Sequence, residues 1–286
     1  MIFFLLLMLQ SCKENPVNNK DLDFRLTDLE PAWSPDGKTI AYVHGDTADG
    51  KTGVYMIGVD GTNKRIIYSS AGAYSPDWSP DGKWIAFYEN AQIYKIGAAG
   101  DSLRRLTSAG RNFDPSWSPA GGWIAYDRSL SDSAGPAGTW IVKEDGSQNQ
   151  FVFAAAYPSW SPDGQMIVGV IGESSTNIWT RLLCYHPFVA MRADTLSAVE
   201  DNYNIYPKYS PDSRSILFTS QASGQVPNIW VMDSAGNNLK QLTQTGGYSC
   251  DWSPDGEWIA YTDTRSVNGR VWLMRKDGTD KHQLTF

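Results

Sequence analysis

The chain has 286 residues, of which 19% are charged and 13% aromatic, with 12 Trp and 14 Tyr. That is material for one large all-β domain or two smaller ones with a real core, and it excludes a disordered chain. The formal net charge is −7 and no basic run occurs anywhere, which excludes nucleic acid as a partner, because neutralising phosphates requires clustered Lys and Arg.

Residues 1–9 read MIFFLLLML. This apolar run is too short to span a bilayer as a helix and suits the core of a signal peptide. Its end, Leu9-Gln10-Ser11-Cys12, resembles a bacterial lipoprotein cleavage box, although Gln10 and the lack of an initial Lys or Arg depart from that pattern. The resemblance implies that residues 1–12 are a lipoprotein signal peptide and that Cys12 is acylated as the first residue of the mature protein. Residues 13–22, KENPVNNKDL, are polar and carry Pro16. They are expected to form a tether of up to ~30 Å at about 3.3 Å per residue.

A repeat occupies the rest, residues 23–286. Trp33-Ser34-Pro35-Asp36-Gly37 returns at 78–82, 160–164 and 252–256. Altered copies are Trp117-Ser118-Pro119-Ala120-Gly121 and Tyr209-Ser210-Pro211-Asp212-Ser213. A period in the forties built of short strands is the signature of propeller blades. Ser-Pro-Asp-Gly is a turn in which Pro presets φ and Gly takes the positive φ that ends it. It joins a strand ending in Trp to one such as Thr39-Ile40-Ala41-Tyr42-Val43. A variable loop leads to a third strand, for example Ile229-Trp230-Val231-Met232. A Gly-containing turn such as Asp60-Gly61 then leads to a fourth, often ending in Leu-Thr, as at 106–107, 242–243 and 284–285. Four short strands with tight turns make one blade, and six copies predict an all-β, six-bladed β-propeller with four antiparallel strands per blade. Phe24-Arg25-Leu26-Thr27 duplicates the fourth-strand pattern. It is expected beside the outer strand of blade six, with Leu284-Thr285 keeping that outer place and no strand exchanged between the chain ends.

These motifs resemble the propeller repeats of the TolB family, whose blades carry W-S-P-D-G-x-x-I-A-[YF] followed by I-Y and L-T. The same repeat occurs in the propellers of prolyl-oligopeptidase-type and tricorn-type peptidases. TolB itself has an extra N-terminal α/β domain and acts in the periplasm with a peptidoglycan-associated lipoprotein. The sequence offers no room for that domain, so the resemblance implies a TolB-like propeller in lipoprotein form. Fold follows strongly from such a resemblance and function only weakly.

Alternating strand direction puts the Ser-Pro-Asp-Gly and Asp-Gly turns on one face. The other face carries the variable loops 44–53, 128–138, 172–177, 220–227 and 263–269, the place where function usually sits on a rigid scaffold. Residues entering the first strands should ring the mouth of the central channel. Four before the Trp or Tyr stand Leu29, Tyr74, Phe113, Ala156, Ile205 and Tyr248. Three before stand Glu30, Ser75, Asp114, Tyr157, Tyr206 and Ser249, and two before stand five prolines and Cys250. The binding-face candidates are therefore Tyr74, Phe113, Asp114, Tyr157, Tyr206, Tyr248 and Glu30. Single members of this set read as packing between blades, and the set as partly open at the mouth. The repeated Trp residues read as inter-blade core.

Other suggestive strings fail on context. Gly45 to Thr52 matches G-x-x-x-x-G-K-T, but a strand rather than a helix follows it, and Asp46 and Asp49 would repel phosphate. Gly100-Asp101-Ser102-Leu103 aligns with the ordinary Asp-Gly turns. The nucleophile motif G-x-S-x-G is missing. His44, His186 and His282 lack metal-ligand spacing. Cys184 and Cys250, in non-adjacent blades, read as buried thiols. The expected function is a non-enzymatic, lipid-anchored module of the bacterial cell envelope that binds a protein or envelope polymer. It is expected to be monomeric, to use no cofactor or metal, and to face the periplasm from the outer membrane or the cell surface. The alternative is a carbohydrate-active or other hydrolase or lyase at the channel mouth, built on Glu30, Asp114 and Asp201.

Overall fold

A computed structural model describes residues 26–46, 50–129, 135–172, 180–188, 193–196, 202–265 and 268–286. Cys12, the apolar run before it, the tether and Asp201 lie outside the described residues. Those described form six four-stranded antiparallel sheets, each in simple sequence order, with no helix among them. The six-bladed β-propeller expected from the repeat is the fold.

The first strands are Leu26–Trp33, Ala73–Trp78, Asn112–Trp117, Ala156–Trp160, Tyr203–Tyr209 and Tyr248–Trp252. The second strands are Thr39–Asp46, Trp84–Glu89, Trp123–Arg128, Ile167–Gly172, Ser215–Gln221 and Trp258–Asp263. Between them the repeated turn closes on itself. In blade one Ser34 Oγ donates to Asp36 Oδ1 (2.6 Å) and accepts from Thr39 N (3.0 Å), while Gly37 sits at φ 71°. The hydroxyl and the Lys38 amide together hold the Asp36 carboxyl below the usual carboxylate range. The same Ser–Asp bond recurs at Ser79–Asp81, Ser161–Asp163, Ser210–Asp212 and Ser253–Asp255. Side chains consumed in this way have little freedom left for recognition.

The core lies between blades rather than within them, because each sheet is apolar on both faces. One cluster joins Trp33, Ile40 and Tyr42 of blade one to Ala260, Val271 and Leu273 of blade six, and an equivalent cluster fills each of the other five seams. Trp33, Trp117, Trp160 and Trp252 are buried there, as read from the sequence. Each large side chain so buried contributes roughly 1.5–3 kcal/mol. Cys184 and Cys250 are free and buried.

The Leu-Thr pairs fall just beyond two-residue fourth strands, Arg104–Arg105, Lys240–Gln241 and His282–Gln283. There the threonine hydroxyl accepts the amide of the second residue of the third strand: Thr107 from Ile93, Thr243 from Ile229 and Thr285 from Val271, at 2.9–3.0 Å. His282–Gln283 is the outer strand of blade six, so the chain end stays in its own blade. Leu26 and Thr27, expected beside that strand, instead begin the first strand of blade one, opposite Asp46 and Gly45. The second strand of that blade is eight residues long, and its last residues need a backbone partner there. Residues 24 and 25 lie outside the described residues. Blades one and six meet through Asp28 N to Gly269 O (2.8 Å), Glu30 N to Thr262 Oγ1 (3.1 Å) and Trp33 N to Asp251 Oδ2 (2.8 Å).

Candidate binding site at the channel mouth

Every first strand breaks its register at the same place. The irregularities fall between Leu29 and Ala32, Tyr74 and Asp77, Ala156 and Ser159, Ile205 and Lys208, and Tyr248 and Cys250, with the matching one in blade three next to Phe113. At each bulge stands a non-glycine residue in the left-handed region: Glu30 (φ 55°), Ser75 (50°), Asp114 (48°), Tyr157 (52°), Tyr206 (53°) and Ser249 (41°). Five of these precede proline, which itself disfavours helical backbone in the residue before it. A proline is tolerated at a bulge because no ladder bond is asked of its nitrogen. A backbone held this way costs of order 1–3 kcal/mol per residue and re-aims the side chain.

The re-aimed side chains meet. Glu30 Oε2 accepts from Ser75 N (2.7 Å), and Ser75 Oγ donates to Asp114 Oδ1 (2.7 Å), linking blades one, two and three. Tyr157 and Tyr206 approach edge to face at 4.7 Å between ring centres, as do Tyr206 and Tyr248 at 5.3 Å, linking blades four, five and six. Tyr74 stacks on Tyr88 (5.6 Å), which meets Phe113 edge-on (5.1 Å). Tyr206 lies within electrostatic reach of both Asp114 and Glu30. Of the residues singled out from the sequence, Tyr74, Phe113, Tyr157 and Tyr248 are half-buried, whereas Glu30, Asp114 and Tyr206 are buried. Glu30, Asp114, Tyr157, Tyr206 and Tyr248 lie within electrostatic reach of one another, whereas Tyr74 and Phe113 pack against the apolar cluster between blades two and three, and Tyr157 also against that between blades four and five.

The throat is acidic and poorly compensated. Burial, and then the charge of Asp114, push the Glu30 carboxyl up to about 7. Burial pushes Asp114 up to about 6, against the Ser75 hydroxyl and Lys208. Asp127, on the second strand of blade three, is pushed up to about 8 by burial and then by Asp114. Nothing in the repeat pattern marked Asp127, since the variable position after Ile-Ala-[Tyr/Phe] holds whatever its blade requires. One layer deeper, Lys208 of blade five reaches Asp77 of the opposite blade two, with Nζ 3.7 Å from Oδ1. Burial works against the charge on Lys208, but Asp77 and Asp251 outweigh it and raise its pKa. With one ammonium serving two acids, burial still dominates at the carboxyls, raising Asp77 and pushing Asp251 up to about 6. Their remaining bonds are to the neighbouring blade: Asp77 Oδ2 accepts from Trp117 N and Asp251 Oδ2 from Trp33 N.

Elsewhere on this face the loops differ. In blade two the link is only Asn90-Ala91, both left-handed (φ 49° and 58°), which makes a two-residue hairpin. Gly45 to Thr52 leads into the strand Gly53–Gly58, as expected, with 47–49 outside the described residues. His44 is occupied by Asp28, Nδ1 to Oδ1 2.6 Å. Among the described residues no three His, Cys, Asp or Glu side chains are grouped to hold a metal ion.

The family model described as the TolB beta propeller domain matches residues 9–180, more than half of the sequence. The chain belongs to the TolB β-propeller family. This TolB-type propeller is 35% identical over 80 residues to the Tol-Pal system protein TolB of Anaeromyxobacter dehalogenans, covering 28% of this chain and 18% of that protein. It is 27% identical over 141 residues to dipeptidyl-peptidase 5 of Porphyromonas gingivalis, covering 44% of this chain and 20% of the other. The chain thus spans about a fifth of the length of the curated relatives it matches. The crystal structure of TolB from Acinetobacter baumannii superposes with a TM-score of 0.76 at 21% identity, over 87% of this chain and 64% of that one. At that identity the likeness establishes the fold of the TolB-type propeller and leaves its ligand to be argued from its own residues.

Proposed function

We propose that this TolB-type propeller is a non-enzymatic binding module of the bacterial cell envelope, lipid-anchored through Cys12, that recruits a protein at the mouth of its channel. The observation that carries the reading is the contrast between the two faces. One is built of turns whose serine and aspartate side chains bond to one another. The other converges half-buried tyrosines and under-compensated carboxyls on strained backbone, and aromatic residues of this kind supply binding hot spots. The relative named for the Tol-Pal system supports an envelope setting.

Crosslinking and pull-down from native envelope test it. Tyr74→Ser combined with Tyr248→Ser should reduce recovery of the partner at least tenfold, with the melting temperature little changed. Changes at the exposed turn positions Lys38, Lys83 and Glu257 should leave recovery intact. Loss of binding from the turn-face changes alone would place the partner on the wrong end for this reading.

The anchor has its own test. Cys12→Ala expressed in a bacterial host should leave an uncleaved or soluble protein without labelled fatty acid. Labelling that persists in this variant removes Cys12 as the acylated residue.

A further inference from the structure

We propose that the throat seats one cationic group, a lysine ammonium or arginine guanidinium of the partner protein, between the carboxyls of Glu30, Asp114 and Asp127. This rests on the preceding reading that the mouth is where a partner docks, and adds to it the chemistry of the group that enters.

Asp127 carries the argument furthest. It occupies the second-strand position opposite the residue that precedes the bulge, pairing with Phe113. The same position in the other blades holds Val43, Tyr88, Val170, Thr219 and Thr262. The fold therefore asks for no acid there. Thr262 uses its hydroxyl to accept the Glu30 amide of the next blade. Asp127 is only 9% exposed, and burial and the charge of Asp114, with no hydrogen bond, govern its carboxyl. It lies within electrostatic reach of Asp114, and the Tyr203 phenol lies within reach of both. A buried carboxyl without a donor is costly, and a bound cation with N–H groups is what relieves it.

Two further observations point the same way. Among the described residues the channel lining carries five carboxyls, Glu30, Asp114 and Asp127 above Asp77 and Asp251, against the one ammonium of Lys208. Lys208 is already engaged one layer below by Asp77 at 3.7 Å. The walls of the upper layer are tyrosine rings in edge-to-face contact, Tyr157 with Tyr206 and Tyr206 with Tyr248. Acids combined with aromatic faces select an alkylammonium or guanidinium over a neutral chain, because the ring quadrupole and the carboxylate attract the same charge.

The test compares two capped pentapeptides, Gly-Gly-Lys-Gly-Gly and its norleucine counterpart, titrated into the intact protein and followed by intrinsic fluorescence. The lysine peptide should bind at least tenfold tighter than the norleucine peptide. Asp127→Asn and Glu30→Gln should each abolish that preference without lowering the melting temperature. Equal affinity for the two peptides, absence of binding by either, or binding of glucosamine oligomers but not the lysine peptide overturns the proposal. The envelope pull-down separates this from the broader reading. If the Tyr74 and Tyr248 changes release the partner but Glu30→Gln and Asp127→Asn do not, the docking face stands and the cationic group falls. If neither set releases it, both fall.

Discussion

Lys208→Met should destabilise the fold by about 1–3 kcal/mol near pH 8, between the effect of an exposed and of a fully buried pair, because the Lys208 and Asp77 side chains are 26% and 18% exposed. Two consequences combine. The methionine fills most of the volume, so packing changes little, but Asp77 and Asp251 lose their one cation while remaining in the channel wall. Both carboxyls are also fixed in place, because each accepts the backbone amide of the repeat's Trp in the adjacent blade, Trp117 and Trp33. They cannot swing into solvent without opening two seams. In a domain of this size the loss should appear as a fall of roughly 5 °C in melting temperature. Asp77→Asn and Asp251→Asn added to Lys208→Met should recover most of it, since an amide oxygen still accepts the tryptophan N–H and no charge is left buried. A Lys208→Met protein as stable as the parent at pH 8 would show that the ion pair across the channel has no structural weight.

Stability should be greater at pH 5 than at pH 8, the reverse of what salt-bridged carboxylates produce. An unfolded carboxyl releases its proton near pH 4. In the folded chain Glu30 holds its proton to about 7, Asp114 to about 6, Asp127 to about 8 and Asp251 to about 6. Between these limits the folded state binds more protons than the unfolded state, so stability falls as pH rises. The loss should begin above pH 4, run through the window from about 6 to 8, and level off beyond it. For one group displaced from 4.5 to about 7 the contribution is on the order of 3 kcal/mol. Among the described residues the groups facing these carboxyls are the phenols of Tyr74, Tyr88, Tyr157, Tyr185, Tyr203, Tyr206 and Tyr248, the ammonium of Lys208 and the carboxyl of Asp77. The phenols stay neutral across this range, because burial first, and then the neighbouring tyrosines and acids, raise them. Thermal unfolding at pH 5, 6.5 and 8 measures the slope. Glu30→Gln with Asp127→Asn should flatten it and raise the melting temperature at pH 8. A slope of the opposite sign would mean that these acids are ionised and paired in the folded state.

The fold was legible because the information for it is local and repeated. Ser-Pro-Asp-Gly specifies a turn through the chemistry of four residues, and its sixfold return counts the blades. The first-strand prolines were equally visible in the sequence. What they do was not, since nothing in Glu30-Pro31 or Tyr206-Pro207 announces that the residue before proline is left-handed; a glycine there would have signalled it. The candidates Glu30, Asp114 and the tyrosines were found by their offset from Trp, which works because every first strand has the same geometry. Asp127, Lys208, Asp77 and Asp251 escaped for the converse reason. They meet across the channel or between layers, and no spacing along the chain encodes a contact between blades two and five. The place of Leu26-Thr27 was misread because its resemblance to a fourth strand is local, while its partner, the long second strand of blade one, became apparent only through register.

Closure without strand exchange has a consequence for the topology of the chain. Each blade is contiguous in sequence, and the seam between blades six and one is held by an inter-blade apolar cluster and cross-blade bonds of the same kinds that hold the interior seams. The interior link from Arg104–Arg105 to the next first strand at Asn112 passes through Leu106-Thr107 and four more residues. The chain leaves the outer strand of blade six through Leu284-Thr285 and Phe286, as the interior link leaves its own through Leu106-Thr107. The interior links between blades are therefore candidate points of circular permutation, even though the blades differ in strand length and in the loops they carry.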